Sequence, residues 1–167
     1  IRNCHDGRLD TRPAQDLRES LGLGKDVLLL VAIGHAKRGQ AFDQTLDALL
    51  ALPLHVHVAF LGKGYEEHRT AIASRGLESR VHILPPVKPC EVVPFVSGAD
   101  AALILYYARS PNYLNALPNR FFQSVAAGLP LLYPDLPEIS RLARQFDLGV
   151  AIDPLKPESI RDGVLAL

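Results

Sequence analysis

Short apolar runs alternate with amphipathic stretches from Asp26 to the end of the chain. "DVLLLVAIG" is a continuous apolar run closed by glycine, and in the following "QAFDQTLDALLAL" the apolar residues recur at helical spacing. The pattern repeats with "HVHVAFLGKG" and "YEEHRTAIASRGL", then "RVHILP" and "PCEVVPFVSGA". It continues through "AALILYY" and "LPNRFFQSVAAGLP", "LPLLYP" and "LPEISRLARQF", and ends on "LGVAID" and "PESIRDGVLAL". Each pair predicts a strand followed by a helix, giving six βα units. The runs at 27–33 and 101–105 are apolar without strict alternation, as expected where helices cover both faces of a parallel sheet. The predicted fold is α/β, a doubly wound, Rossmann-like parallel sheet. Residues 26–167 form this domain. Residues 1–25, with "AQDLRESLGL" as a short helix after Pro13, read as a linker leading in from a missing N-terminal domain, and the absence of an initiator Met suggests a fragment.

Composition narrows the function. The 167 residues are 48% hydrophobic and 22% charged, as in one globular domain with a sizeable core. Lys plus Arg and Asp plus Glu each number 18, so no net charge favours nucleic acid and any anion site must be local. Cys4 and Cys90 lack metal-ligand spacing and read as reduced thiols of a cytoplasmic protein. No apolar run is long enough to span a membrane, and "IRNCHDGRLD" is not a signal peptide.

In a doubly wound sheet the ligand sits beyond the carboxyl ends of the strands, so the residues after each strand carry the chemistry. "GHAKRGQ" follows the first strand. Gly34 permits a tight backbone path, and Lys37 and Arg38 offer a point charge and a planar fork to phosphate oxygens; a solvated turn is the alternative. The spacing is neither G-x-G-x-x-G nor a Walker loop. "GKG", residues 62–64, reads as a turn. The third cluster is "NALPNRFFQSVAAGLP". Pro118 suits the first helical position, Phe121, Phe122, Val125 and Ala126 form an apolar stripe, and Gly128 with Pro130 stops the helix. The polar donors Asn115, Asn119 and Arg120 exceed what a cap needs. With the backbone N–H groups near Ala116, Leu117 and Asn119, they point to an anion at the helix N-terminus.

The order of "GHAKRGQ", "FLGKG", "SRVHILPPVKPCEVVPFVSGADAALI" and "NYLNALPNRFFQSVAAGLPLLYPDLPEI" resembles the C-terminal, donor-binding half of a GT-B glycosyltransferase, most like the retaining family-four (group 1) enzymes of polysaccharide assembly. The resemblance implies a nucleoside diphosphate sugar as donor, no metal and no other cofactor. It also implies a glycan or lipid-linked acceptor held by an upstream domain, where any peripheral membrane contact would lie. Arg38 and Lys37 would hold the diphosphate together with backbone donors at 116–119, and the segment at 84–87 would pass the base.

The family commonly carries two glutamates eight residues apart on this loop and helix, the second clasping the ribose; here Asn115 and Gln123 stand in their places. An amide offers one acceptor oxygen where a carboxylate offers two, so donor binding is expected to be weaker. A degenerate, non-catalytic scaffold or regulatory module is therefore the competing reading. An epimerase on the same fold is a third, but no acid–base pair for it is legible. His55 and His57 alternate with valines as on a strand face. Asp135 reads as a helix N-cap or a residue beside the sugar, and Tyr106, Tyr107 and Arg109 as pocket lining or packing.

Overall fold

The structure, a computed structural model, describes residues 6–37, 40–108 and 111–167, with Pro111 and Asn112 by backbone alone. The six predicted strands all form: β1 Leu28–Ile33, β2 Val56–Leu61, β3 Val81–Leu84, β4 Ala101–Leu103, β5 Leu131–Pro134 and β6 Gly149–Ile152. They make one sheet in the order β3-β2-β1-β4-β5-β6, every neighbouring pair parallel. The sheet grows outward from β1 to one side and from β4 to the other. A crevice therefore opens at the carboxyl ends of β1 and β4, the position where doubly wound folds bind ligands.

The helices are α1 Leu17–Leu21, α2 Phe42–Leu50, α3 Arg69–Ala73, α4 Val92–Val96, α5 Pro111–Leu114, α6 Asn119–Ala126, α7 Pro137–Gln145 and α8 Pro157–Leu165. Alternation within β1 explains its unbroken apolar run. Leu30 and Ala32 join Phe42, Leu46, Ile160 and Val164 from α2 and α8, while Leu29, Val31 and Ile33 join Leu17, Val96, Phe121 and Ile139 from α1, α4, α6 and α7. Each fully buried aliphatic side chain contributes about 1.5–3 kcal/mol, so neither face can be left open.

Three local differences from the sequence reading have physical causes. "YEEHRTAIASRGL" divides into a 3-10 turn, Tyr65–His68, and α3, because Gly64 enters at φ +87° and Tyr65 is drawn into the core against Phe42 and Phe60. Helix α5 was not predicted. The lead-in segment is part of this core from Leu17 onward: Leu17 is fully buried, and Arg18 pairs with Asp100 at 2.5 Å and donates to the carbonyls of Gly24, Val27 and Gly98. Asp100 also accepts from the Leu29 backbone N–H, which ties α1 to the start of β1. Cys90 is a free thiol beside the Thr11 hydroxyl, and Cys4 lies outside the described residues. Among the described residues no helix is long and apolar enough to cross a membrane.

His57 lies on β2 and its Nδ1 is 3.1 Å from Nε2 of His82 on β3. One ring must donate and the other accept, which favours a neutral pair. Burial lowers both pKa values below the usual histidine range, reinforced at His57 by Arg80 and at His82 by His57. The unfolded chain then binds more protons as pH falls below about 6.5, so this stability is complete above that pH and is lost on acidification. Melting temperature should fall between pH 7 and pH 5, and His82→Gln should flatten that slope in a thermal-melt series.

Candidate functional site

The loops after β1 and β2 extend the parallel pairing beyond the sheet. Gly34 N–H donates to the Leu61 carbonyl, Ala36 N–H to the Lys63 carbonyl, and Lys63 N–H to Nδ1 of His35. The two backbones lie so close that a Cβ on Gly62 would fall 2.2 Å from the Gly34 carbonyl oxygen. "GKG" is thus the second wall of the loop that carries Lys37, and more than a turn.

On the other side of the crevice, Ala41 N–H donates to the Leu105 carbonyl and Gln40 bridges to Tyr106 in antiparallel fashion. The Tyr106 hydroxyl donates to the Ala116 carbonyl at 3.0 Å, fixing the approach to α6. Burial pushes the Tyr106 phenol up to about 12, so it remains a donor at any working pH. Helix α6 begins at Asn119, with Pro118 in extended conformation at the cap, not at the first helical position. The shift of one residue follows from ψ of 154° at Pro118: its ring fixes φ but leaves ψ free to set the entry angle. Proline supplies no side-chain acceptor to the first turn.

Arg120 is the centre of the arrangement. Its side chain folds back across the crevice to Gly34, where an added Cβ would meet Nη2 at 3.0 Å and Cζ at 3.2 Å. Gly34 has φ of +111° and no side chain, and both are needed to let the guanidinium lie against the end of β1. Tyr65, Tyr106 and Tyr113 are within electrostatic reach of it, and burial lowers its pKa, although a guanidinium stays charged. Among the described residues it forms no ion pair with a carboxylate. Beside it is a cavity of about 150 Å³, lined by Lys37, Gln40, Tyr106, Tyr113, Ala116 and Pro118 together with Arg120 itself. Gln40 is held in place by the Tyr65 hydroxyl at its Oε1 and by its own bond to the His35 carbonyl. A cation partly withdrawn from water without a counter-charge is unfavourable, so the arrangement favours an anion in the cavity.

Of the residues singled out from the sequence, Lys37, Ala116 and Arg120 line this cavity, with Gly34 behind Arg120. Leu117 packs against the core. Asn115 and Asn119 are exposed and Gln123 is half-buried further along α6, none of them on the cavity wall. Arg38 and Arg109 lie outside the described residues. Leu84 and Val87, the expected base segment, pack half-buried on the sheet face that carries α6. Asp135 does not cap α7: Leu136 holds the cap position, and the Asp135 carboxylate takes the Ser140 hydroxyl at 2.5 Å and Arg144 at 3.0 Å. These partners lie on α7 itself and compete for the oxygen that a cap would use. Tyr107 and Asp135 line a separate cavity of about 440 Å³ beyond β5 and β6. The sequence reading missed Gln40, Tyr65 and Tyr113. Only the identity of Gln40 within "GHAKRGQ" could have signalled the first.

No protein-family model matches the chain, and no curated protein matches it. Solved structures do. HepE of Anabaena, in complex with UDP and glucose, matches at a TM-score of 0.77 with 19% identity, over 97% of this chain and 45% of that one. Sucrose-phosphate synthase from Thermosynechococcus elongatus matches at 0.74 with 16% identity, over 98% and 41%. The C-terminal domain of LpcC, a glycosyl transferase group 1 family protein of Francisella tularensis, matches at 0.67 with 9% identity, over 98% and 87%. The chain thus spans less than half of HepE and of the synthase but nearly all of the isolated LpcC domain. Its fold is that of the C-terminal domain of a GT-B glycosyltransferase.

Proposed function

We propose that the chain is the donor-binding half of a glycosyltransferase, taking a nucleoside diphosphate sugar whose diphosphate lies in the cavity between Lys37 and Arg120. The observation that carries this reading is Arg120, a half-buried guanidinium without a carboxylate partner among the described residues, at the open ends of β1 and β4 and beside the start of α6. In transfer the bond between the sugar and the diphosphate breaks and negative charge grows on the leaving phosphate. Arg120, Lys37 and the N-terminal dipole of α6 would stabilise that charge, which is the largest catalytic contribution such a site can make. Arg38, next to Lys37 in sequence, remains a candidate for the same wall. A hexose-type unit would pass, with retention as the resemblance implies, to a glycan or lipid-linked acceptor on a second domain. Among the described residues the wall of this cavity carries no carboxylate or imidazole, so an acid–base pair for an epimerase would have to come from outside it.

The test is a thermal-shift and calorimetric comparison of the common nucleoside diphosphates, the free nucleosides and inorganic pyrophosphate. At least one nucleoside diphosphate should bind while its nucleoside does not; no response to any of them rejects the reading. Uridine diphosphate is the first probe because the HepE structure contains it.

A degenerate scaffold is the second reading, and Gln123 and Asn115 favour it. If Gln123 faces the ribose of a bound nucleotide, Gln123→Glu should tighten nucleoside diphosphate binding by about tenfold, since charged hydrogen bonds exceed neutral ones by ~1 kcal/mol or more. A 2′,3′-dideoxy nucleotide should show no gain. Equal tightening of both, or of neither, would take Gln123 away from the ribose and favour the scaffold.

A further inference from the structure

The cavity lining mixes two kinds of side chain. Lys37, Gln40 and Arg120 bring charge and hydrogen-bond donors, and Tyr106 and Tyr113 bring aromatic rings. Tyr106 is only 7% exposed and its hydroxyl is committed to the Ala116 carbonyl, so its ring serves as a floor. Tyr113 is 42% exposed, stands on α5, and lies against that floor with ring centroids 6.0 Å apart at 56°. It is a large aromatic side chain braced on one side, open on the other, and within electrostatic reach of Arg120. An inorganic anion has no use for such a surface. The group that suits it carries a negative charge for Lys37 and Arg120 and, attached to it, a ring with an apolar face and hydroxyls at its rim.

Binding sites of this type combine an apolar or aromatic wall with a few placed polar groups that set orientation. Amphipathic Tyr supplies both at low conformational cost.

Resting on the function proposed above, we propose that Tyr113 is a specificity-determining residue for the donor sugar. The pyranose ring leaves the diphosphate at Arg120, packs its C–H face on the Tyr113 ring, and is carried there by α5. Helix α5 is then the element that reads the sugar, separate from the cations that read the phosphates.

The test compares the affinities of uridine diphosphate and UDP-glucose, by calorimetry, for the unmodified protein, Tyr113→Ala and Tyr113→Phe. The ratio of the UDP-glucose dissociation constant to that of uridine diphosphate should rise about three- to tenfold in Tyr113→Ala, the range for one aromatic contact, and stay within about twofold in Tyr113→Phe. A proportional weakening of both ligands by Tyr113→Ala would mean that the ring serves the base or the phosphates, and would overturn the proposal. So would an unchanged ratio, or a Phe variant as impaired as Ala, which would assign the effect to the hydroxyl. Binding of neither ligand by the unmodified protein overturns the donor-domain reading and this one together, whereas binding of both with an unchanged ratio overturns this one alone.

Discussion

Arg120→Gln should weaken nucleoside diphosphate binding by about ten- to a hundredfold and, in the same protein without ligand, raise the melting temperature. Both halves follow from one cause. Hydrogen bonds to a charged group contribute ~1.5–3 kcal/mol, and each ~1.4 kcal/mol is a factor of ten in affinity. The ligand-free protein meanwhile holds a half-buried guanidinium, partly shielded from water and with no carboxylate partner among the described residues. Replacing such an ion with a neutral group of similar reach removes a desolvation cost. Glutamine can still donate toward the cavity, so the variant separates charge from shape. Lys37→Gln is the companion measurement: Lys37 is exposed, so its loss should cost less affinity and leave the melting temperature where it is. If Arg120→Gln lowers the melting temperature and spares binding, Arg120 is a structural cation held by its three tyrosines, and the anion site loses its centre.

This opposition between stability and binding marks a site that folding alone would not select. The surrounding groups show the same bias. Gly34 gives up a side chain to make room for the guanidinium, and the Tyr65 and Tyr106 hydroxyls are committed to Gln40 and Ala116. The crevice is kept polar and positively charged next to one of the most apolar parts of the chain.

How much of this could be read beforehand depends on the range of the interaction. The strands were legible because a run such as "DVLLLVAIG" must bury both faces, and only a parallel sheet covered by helices does that. Helix α6 was legible from Pro118 and Gly128, although its first residue moved by one because ψ of 154° makes Pro118 the cap and not the first helical residue. Helix α5 was not legible: "PNYL" is a single turn between asparagines and prolines, and nothing local separates it from a loop. The role of Arg120 was half legible. The sequence placed it among several polar donors at a helix start, but its approach to Gly34 joins positions 86 residues apart (120 − 34 = 86), and no local pattern encodes that. Asp135 shows the reverse case. Its local signal was a cap, and partners one and two turns into α7 took the carboxylate instead.

The other large effect is expected at Gly62, whose local sequence "GKG" suggested only a turn. Gly62→Ala would place Cβ 2.2 Å from the Gly34 carbonyl oxygen and 2.6 Å from its carbonyl carbon, both backbone atoms that no rotamer change can move. The loops after β1 and β2 would have to separate. That would break Gly34 N–H to Leu61 and Ala36 N–H to Lys63, and would shift the Gly34 backbone against which Arg120 rests. Overpacking of this kind costs ~1–3 kcal/mol, and each broken backbone bond adds ~0.5–1.5 kcal/mol, so the variant should be destabilised by about 2–4 kcal/mol in urea denaturation. The clash lies in the two loops and leaves the sheet pairing and both apolar clusters untouched, so circular dichroism should still report a folded α/β protein. Nucleoside diphosphate affinity should nevertheless fall, because Lys37 and Arg120 lose their common support. Gly64→Ala is the control. It would meet only the Ala36 methyl at 3.3 Å, with a positive φ of 87° as its main penalty, so it should cost stability without parting the two loops. If Gly62→Ala is as stable and binds as well as the parent, the two loops are not a rigid pair, and Arg120 must be held by its tyrosines alone.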